Sequence, residues 1–192
     1  MRSPRVLLGL VASAVLLSGC SLVATTSSPQ KVNKKNVPFG LLGKTIPGTD
    51  QGRVAFKTQP VYIVDVSGHL SASSRIVPSP PVLASVLRQL ILGPTRLESK
   101  LGYTSALPRT MELLSASLRN GIGYVDLSTS LGRMSRAEEV LAVGQLVLTA
   151  HDVGATRGLE ISVAGVAQSS PLPNGQSQTL VRPSYFQSLL NN

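Results

Sequence analysis

One thiol, two imidazoles and nine carboxylates are the groups in this 192-residue chain suited to bond-breaking or metal chemistry. A metal centre needs several His, Cys, Asp or Glu side chains at ligand spacing. His69 and His151 stand far apart, and Cys20 is distant from both. No metal site and no cofactor is expected. A nucleophilic serine would announce itself by a Gly-x-Ser-x-Gly elbow, and none is present. Asp65 and Asp126 both fall in strand-like runs, where they could face each other as a carboxylate pair. Each reads better as an exposed or hydrogen-bonded edge residue. His69 lies beside a turn. His151 falls in the last turn of a helix, where a partly charged imidazole suits the helix dipole.

Cys20 is the group with a chemistry written around it. Arg2 and Arg5 make a positive start, Val6 to Leu17 is a 12-residue apolar run, and Leu17-Ser18-Gly19-Cys20 closes it. Twelve apolar residues are short for a membrane span but right for an export signal. The closing tetrapeptide resembles the lipobox of bacterial lipoproteins. That resemblance implies a thiol acylated by diacylglycerol, a signal peptide over residues 1–19, and Cys20 as the new N-terminus. An exported chain whose single cysteine is acylated has no disulfide, so its fold rests on packing.

The formal charge of +9 invites a nucleic-acid reading, but its placement argues against one. Residues 20–60 hold six basic side chains against one acidic, whereas residues 61–192 hold ten against eight. No basic face or stacking platform is evident, with aromatics at 4% and no Trp, so nucleic acid is not an expected partner. Residues 20–60 have the Ser, Thr, Lys, Pro and Gly of a flexible linker. Their charge serves solubility or attraction to anionic headgroups, and the sequence favours neither.

The elements that position these groups are expected from about Val61 onward. Val61 to Val66 reads as a buried strand, Ser67-Gly68 as a turn, and His69 to Val77 as a polar returning strand at a sheet edge. A helix is expected from Ser79, as N-cap, with Pro80 and Pro81 in its first turn. Val82, Leu83, Val86, Leu87, Leu90 and Ile91 form its apolar stripe, and Leu92-Gly93-Pro94-Thr95 stops it. After a polar loop through Gly102 and Pro108, alternation from Met111 to Leu118 predicts a strand. Asn120-Gly121 predicts a type I′ turn into a second strand, Ile122 to Ser128. Ser135 and Glu138 form a capping box for a deeply buried helix to Asp152, with Gly144 allowing close approach and Gly154 closing it. Gln145 lies inside its apolar run and is expected to bond to the backbone near Ser105 to Pro108. A strand over Leu159 to Val163, a turn at Gly165 with a short return through Val166-Ala167, a loop over Pro171 to Gln178, and a short helix from Pro183 to Leu190 complete the chain.

Several of these residues together resemble the GerMN, or sporulation and spore germination, domain of bacterial envelope lipoproteins. They are Val61-Tyr62-Ile63-Val64-Asp65, Gly68, Leu70, Arg75, Val77-Pro78, Leu92-Gly93-Pro94-Thr95, Glu98, Gly102, Ser105-Ala106-Leu107-Pro108, Leu113-Leu114-Ser115, Gly121, Val125-Asp126-Leu127-Ser128, and the helix from Ala142 to Thr149. They occur in the family's order across roughly residues 60–190. Ala164-Gly165 stands where the family often has Asp-Gly, and Arg182-Pro183-Ser184-Tyr185 where it is often acidic. The resemblance implies an α/β (α+β) domain: two helices packed on a small mixed β-sheet, similar to the ring-building motifs of secretion and sporulation complexes. It implies a non-catalytic role in envelope assemblies, and relatives in which the domain partners a sensor kinase carry a second large domain for which 192 residues leave no room.

The expected protein is therefore a lipoprotein on the extracytoplasmic face of the cell membrane, with a linker over residues 20–60 and an interaction module over 61–192. Its expected partners are membrane lipid through Cys20 and an envelope protein, with self-assembly also open. The edge strand, through His69, Ser73 and Arg75, is the expected docking site. A small envelope hydrolase or ligand-binding protein is the alternative, and a deep pocket with converging polar groups would favour it.

Overall fold

Asn120 and Gly121 both take positive φ, 50° and 75°, and set Arg119 opposite Ile122. That is the type I′ geometry which keeps a two-residue hairpin matched to strand twist. The computed structural model describes residues 54–132 and 134–191. Within them, this turn joins β3 (Leu113–Arg119) to β4 (Ile122–Leu127), with a register shift between Leu113 and Ser115. The strand expected from Met111 begins two residues later, because Met111 is buried in the preceding turn.

Strand β4 continues through α3 (Arg136–His151) into β5 (Gly158–Val163), which lies parallel to it with Val125 opposite Ile161. The short strands β6 (Val166–Ala167) and β9 (Leu180–Val181) pair antiparallel with β5, so the five-stranded sheet is mixed. Ala164 and Gly165, at φ 48° and 81°, make the turn before β6. The expected loop over Pro171 to Gln178 contains a small hairpin, β7 (Ser170–Pro171) with β8 (Ser177–Gln178). The closing helix, Pro183–Leu189, is a 3-10 helix that buries Phe186.

A second, two-stranded sheet pairs β1 (Phe56–Val64) with β2 (Leu70–Pro78). β1 starts at Phe56 rather than at Val61, because the ladder continues to the Phe56–Pro78 pair. The Ser79 N–H extends it by bonding to the Ala55 carbonyl at 2.7 Å. That bond moves the helix start. Ser79 is held in the ladder rather than serving as N-cap, and α1 runs Leu83–Ile91 behind Val82. A five-residue helix, α2 (Arg96–Lys100), occupies part of the expected polar loop.

Helix α3 is the centre of the core. From Ala142 to Ala150 every residue is buried, and Leu146, Val147, Leu70, Leu87 and Phe186 share the interior. Burying each large aliphatic side chain is worth roughly 1.5–3 kcal/mol. The Ser135–Glu138 capping box opens α3 as expected. The Gly154 N–H bonds to the His151 carbonyl and the Ala155 N–H to the Ala150 carbonyl, with Gly154 at φ 119°, the Schellman pattern that ends a helix. At Gly144 an added Cβ would lie 2.8 Å from Leu70 and 3.0 Å from Phe186, so this glycine lets β2 and the closing helix reach α3.

Candidate interaction site

The Leu92-Gly93-Pro94-Thr95 segment does two jobs in four residues. Gly93, at φ 76°, ends α1, and Thr95 starts α2. The Thr95 N–H donates to Glu98 Oε2 at 2.6 Å, and the Glu98 N–H donates to Thr95 Oγ1 at 3.3 Å. Glu98 also receives β2. Arg75 donates Nη1–H to Oε1 and Nη2–H to Oε2, each at 2.9 Å, and the Ser73 hydroxyl joins the same Oε1. Arg75 also donates to the Gly93 carbonyl at 3.3 Å and so ties down the end of α1. The pair is 8% and 16% exposed. Burial alone would raise the Glu98 pKa, but hydrogen bonds from Arg75, Ser73 and Thr95 outweigh it and hold it at about 2.

This geometry revises the expected docking edge. Ser73 and Arg75 turn toward Glu98, and of the three expected residues only His69 is exposed. The edge itself lies one residue out of step with them. Val64 N–H bonds to the Thr104 carbonyl and the Leu70 carbonyl accepts from Asn191, so the Val64–Leu70 pair points its backbone outward. Antiparallel pairs alternate. Outward backbone groups on β2 are therefore those of Ala72, Ser74 and Ile76, opposite Tyr62, Pro60 and Thr58.

The edge of β1 is closed instead at Tyr62 and Val64. The Tyr62 N–H donates to Thr149 Oγ1 at 3.0 Å, and its carbonyl accepts from Gln145 Nε2 at 2.8 Å. Gln145 Oε1 accepts the Ala106 N–H at 2.8 Å, which places it against the expected loop. Thus both buried polar side chains of α3, one turn apart, satisfy a strand edge. Gln59 donates to the Asp152 carbonyl at 2.7 Å. The Tyr62 hydroxyl reaches Asp152 Oδ2 at 3.2 Å, and burial, followed by that carboxylate, raises its pKa.

Asp65 and Asp126 serve separate turns. Asp65 lies just past β1 and accepts from the Ser67 and His69 N–H groups, the Ser71 hydroxyl and Asn191 Nδ2. Burial opposes its ionisation, but these four donors together lower its pKa. Asp126 accepts the Gly165 N–H at 2.9 Å. His151, at the end of α3, contacts Asp152 at 3.1 Å. Among the described residues no three His, Cys, Asp or Glu side chains gather as a metal site would require.

A cleft of about 770 Å³ opens between the end of α1 and the 103–111 segment. Leu92, Ser99, Tyr103, Ser105, Arg109 and Met111 line it. It holds hydroxyls and a guanidinium but neither an imidazole nor a carboxylate. Cys20 and nearly all of the 20–60 segment lie outside the described residues, and no described helix is long and apolar enough to cross a membrane.

A mixed sheet with helices α1 and α3, and a Gly-Pro-Thr corner tied to β2 through Arg75, defines a small α/β domain. The family of sporulation and spore germination (Germane) domains matches residues 60–169, more than half of the chain, and the protein belongs to that family. Among solved structures, the tandem GerMN domains of the sporulation protein GerM from Bacillus subtilis share the fold at 14% identity, with a TM-score of 0.50, covering 64% of this chain and 46% of that one. This chain thus spans about half the length of that tandem structure. The first GerMN domain of the same protein aligns at 18% identity and TM-score 0.49, covering 66% of this chain and 98% of that one. A candidate lipoprotein from Clostridium perfringens aligns at 16% identity and TM-score 0.41, covering 67% and 93%. No curated protein matches the sequence.

Proposed function

We propose that this protein is a lipid-anchored, non-catalytic interaction module of the bacterial envelope, of the sporulation, germination or envelope-regulation type. Its domain holds a partner protein on the outer edge of β2, and Cys20 attaches it to the extracytoplasmic face of the membrane. The observation that carries this reading is the asymmetry of the two-stranded sheet. On β1 the backbone groups of Val64 and Tyr62 are satisfied by Thr104, Gln145 and Thr149, whereas β2 leaves Ala72 and Ile76 with outward backbone groups, Ile76 exposed, and only the Ser74 carbonyl taken, by Arg75 Nη1–H at 3.1 Å. An uncovered edge of this kind accepts a strand from another chain.

The hydrolase alternative receives less support. The cleft gathers Ser99, Thr104 and Ser105 without a base among its lining residues, and His151 is not one of them. The test is crosslinked capture of the full chain from membranes, comparing wild type with Ile76→Glu. Ile76 is exposed, so folding should persist while partner recovery falls at least about tenfold. Undiminished recovery removes this edge. Hydrolysis of an envelope substrate that is lost in His151→Ala overturns the non-catalytic reading.

A further inference from the structure

Helix α2 presents two neighbouring rows of exposed side chains. Arg96 and Lys100 stand one turn apart in one row, Leu97 and Leu101 in the other. The helix has a single acid, Glu98, and Arg75 draws it inward, so the charge left facing outward is entirely positive. Val66 adjoins the row of leucines: an added Cβ on Gly102 would lie 2.7 Å from its Cγ1. Leu92, Leu97, Leu101 and Val66 are 76%, 67%, 59% and 72% exposed. Arg109 shares the cleft with Leu92, and Arg88 is exposed in the last turn of α1. Among the described residues none of these four cations has a carboxylate within ion-pair distance; the two ion pairs present are Arg75–Glu98 and His151–Asp152.

Bare apolar tips surrounded by unneutralised cations fit one surface in particular. Leucines can enter the boundary between headgroups and acyl chains while Arg and Lys extend their stems back to the phosphates. A second copy of this chain would present the same positive corner and be repelled. We infer that the α2 corner is a membrane-contact site that takes the anionic headgroups of a phospholipid surface. It orients the domain, whereas the N-terminal attachment only keeps it nearby. This role is separate from the edge of β2. Each cation close to an anionic surface strengthens binding about fivefold.

The test uses the full chain carrying Cys20→Ser and Leu101→Cys, so that one thiol takes a bimane fluorophore and no acyl chain is present. Mixed with vesicles of phosphatidylglycerol and phosphatidylcholine, the label at position 101 shifts to the blue and is quenched by brominated lipid. A label at Thr156→Cys, beside the Asn120-Gly121 turn at the far end of β3, stays unchanged. Adding Arg96→Gln and Lys100→Gln, both exposed, weakens binding by roughly 25-fold. No shift at position 101, an equal shift at position 156, or an equal shift on phosphatidylcholine alone overturns the proposal. So does a shift without vesicles that grows with protein concentration, which would mark a second copy as the occupant. Because this form cannot be acylated, the outcome stands apart from the fate of the lipoprotein reading.

Discussion

Arg75 holds both carboxylate oxygens of Glu98 at 2.9 Å, across the gap between a strand and the shortest α-helix of the domain. Removing one partner leaves the other buried and unpaired. Arg75→Ala and Glu98→Ala are each expected to destabilise the domain by about 3 kcal/mol in urea unfolding, near the low end for buried pairs. The double variant should cost clearly less than the sum. A strictly additive cycle would mean that the pair acts independently.

The same pair predicts an acid limit. The Glu98 pKa falls from 4.5 to about 2 on folding, so the folded state binds this proton less readily than the unfolded state. Its stabilisation is complete above pH about 4.5 and is lost as pH falls toward about 2. Urea midpoints of wild type should drop through that window, and those of Glu98→Gln should drop less. Parallel curves would contradict the assignment.

Two turns with positive φ give opposite expectations. At Gly121, φ is 75° and an added Cβ already meets Thr156 Oγ1 at 3.2 Å. Gly121→Val should lower stability by more than about 2 kcal/mol, since a β-branched residue is strained there. Ala164 takes φ 48° with a Cβ present, and Asn tolerates that conformation better. Ala164→Asn should raise stability by about 0.5–1 kcal/mol. Thermal melting decides both.

Backbone direction separates neighbouring serines on β2. Ser73 faces β1 in the ladder and Ser74 faces outward, opposite Pro60, which has no N–H to offer. Ser73→Pro should weaken the hairpin by about 3 kcal/mol, whereas Ser74→Pro should cost under about 1 kcal/mol and still block an added strand. If Ser74→Pro is the more damaging to folding, the outward assignment is wrong.

Acylation is predicted at Cys20 from Leu17-Ser18-Gly19-Cys20 alone. Cells given a labelled fatty acid should mark the wild type and not Cys20→Ser. Equal marking of both ends the lipoprotein reading.

Local rules in the sequence found the parts of the fold that local chemistry decides. Asn120-Gly121, Gly93, Gly154 and the Ser135–Glu138 box each act over a few residues, so the sequence suffices. Gln145 was also legible, because one amide inside an apolar helix demands partners. The start of α1 was not. Ser79-Pro80-Pro81 satisfies the rules for a helix N-terminus, yet the Ser79 N–H is taken by Ala55, a residue far away in sequence. Helix α2 had a visible signal in Thr95-x-x-Glu98, but five residues carry no apolar period to reinforce it. The candidate site suffered most. Ser73 and Arg75 are polar residues on a polar strand, and only the tertiary position of Glu98 reveals that they face inward. Thr149 and Tyr62 escaped notice for the same reason.

Asp65 accepts a hydrogen bond at 2.8 Å from Asn191, 126 residues later in the chain. The Leu70 carbonyl takes the backbone N–H of that same residue at 3.2 Å. The first hairpin therefore cannot reach its final state until the last turn of the chain has arrived. Completion of the fold is thus a late event for a chain that emerges from its N-terminus. Until then the Asp65 carboxylate lacks one of its four donors and the Leu70 carbonyl stays open. Contacts of such long range slow folding. Amide exchange at His69 and Asn191 during refolding should consequently close together, and after the exchange at Arg119 and Ile122 has already slowed.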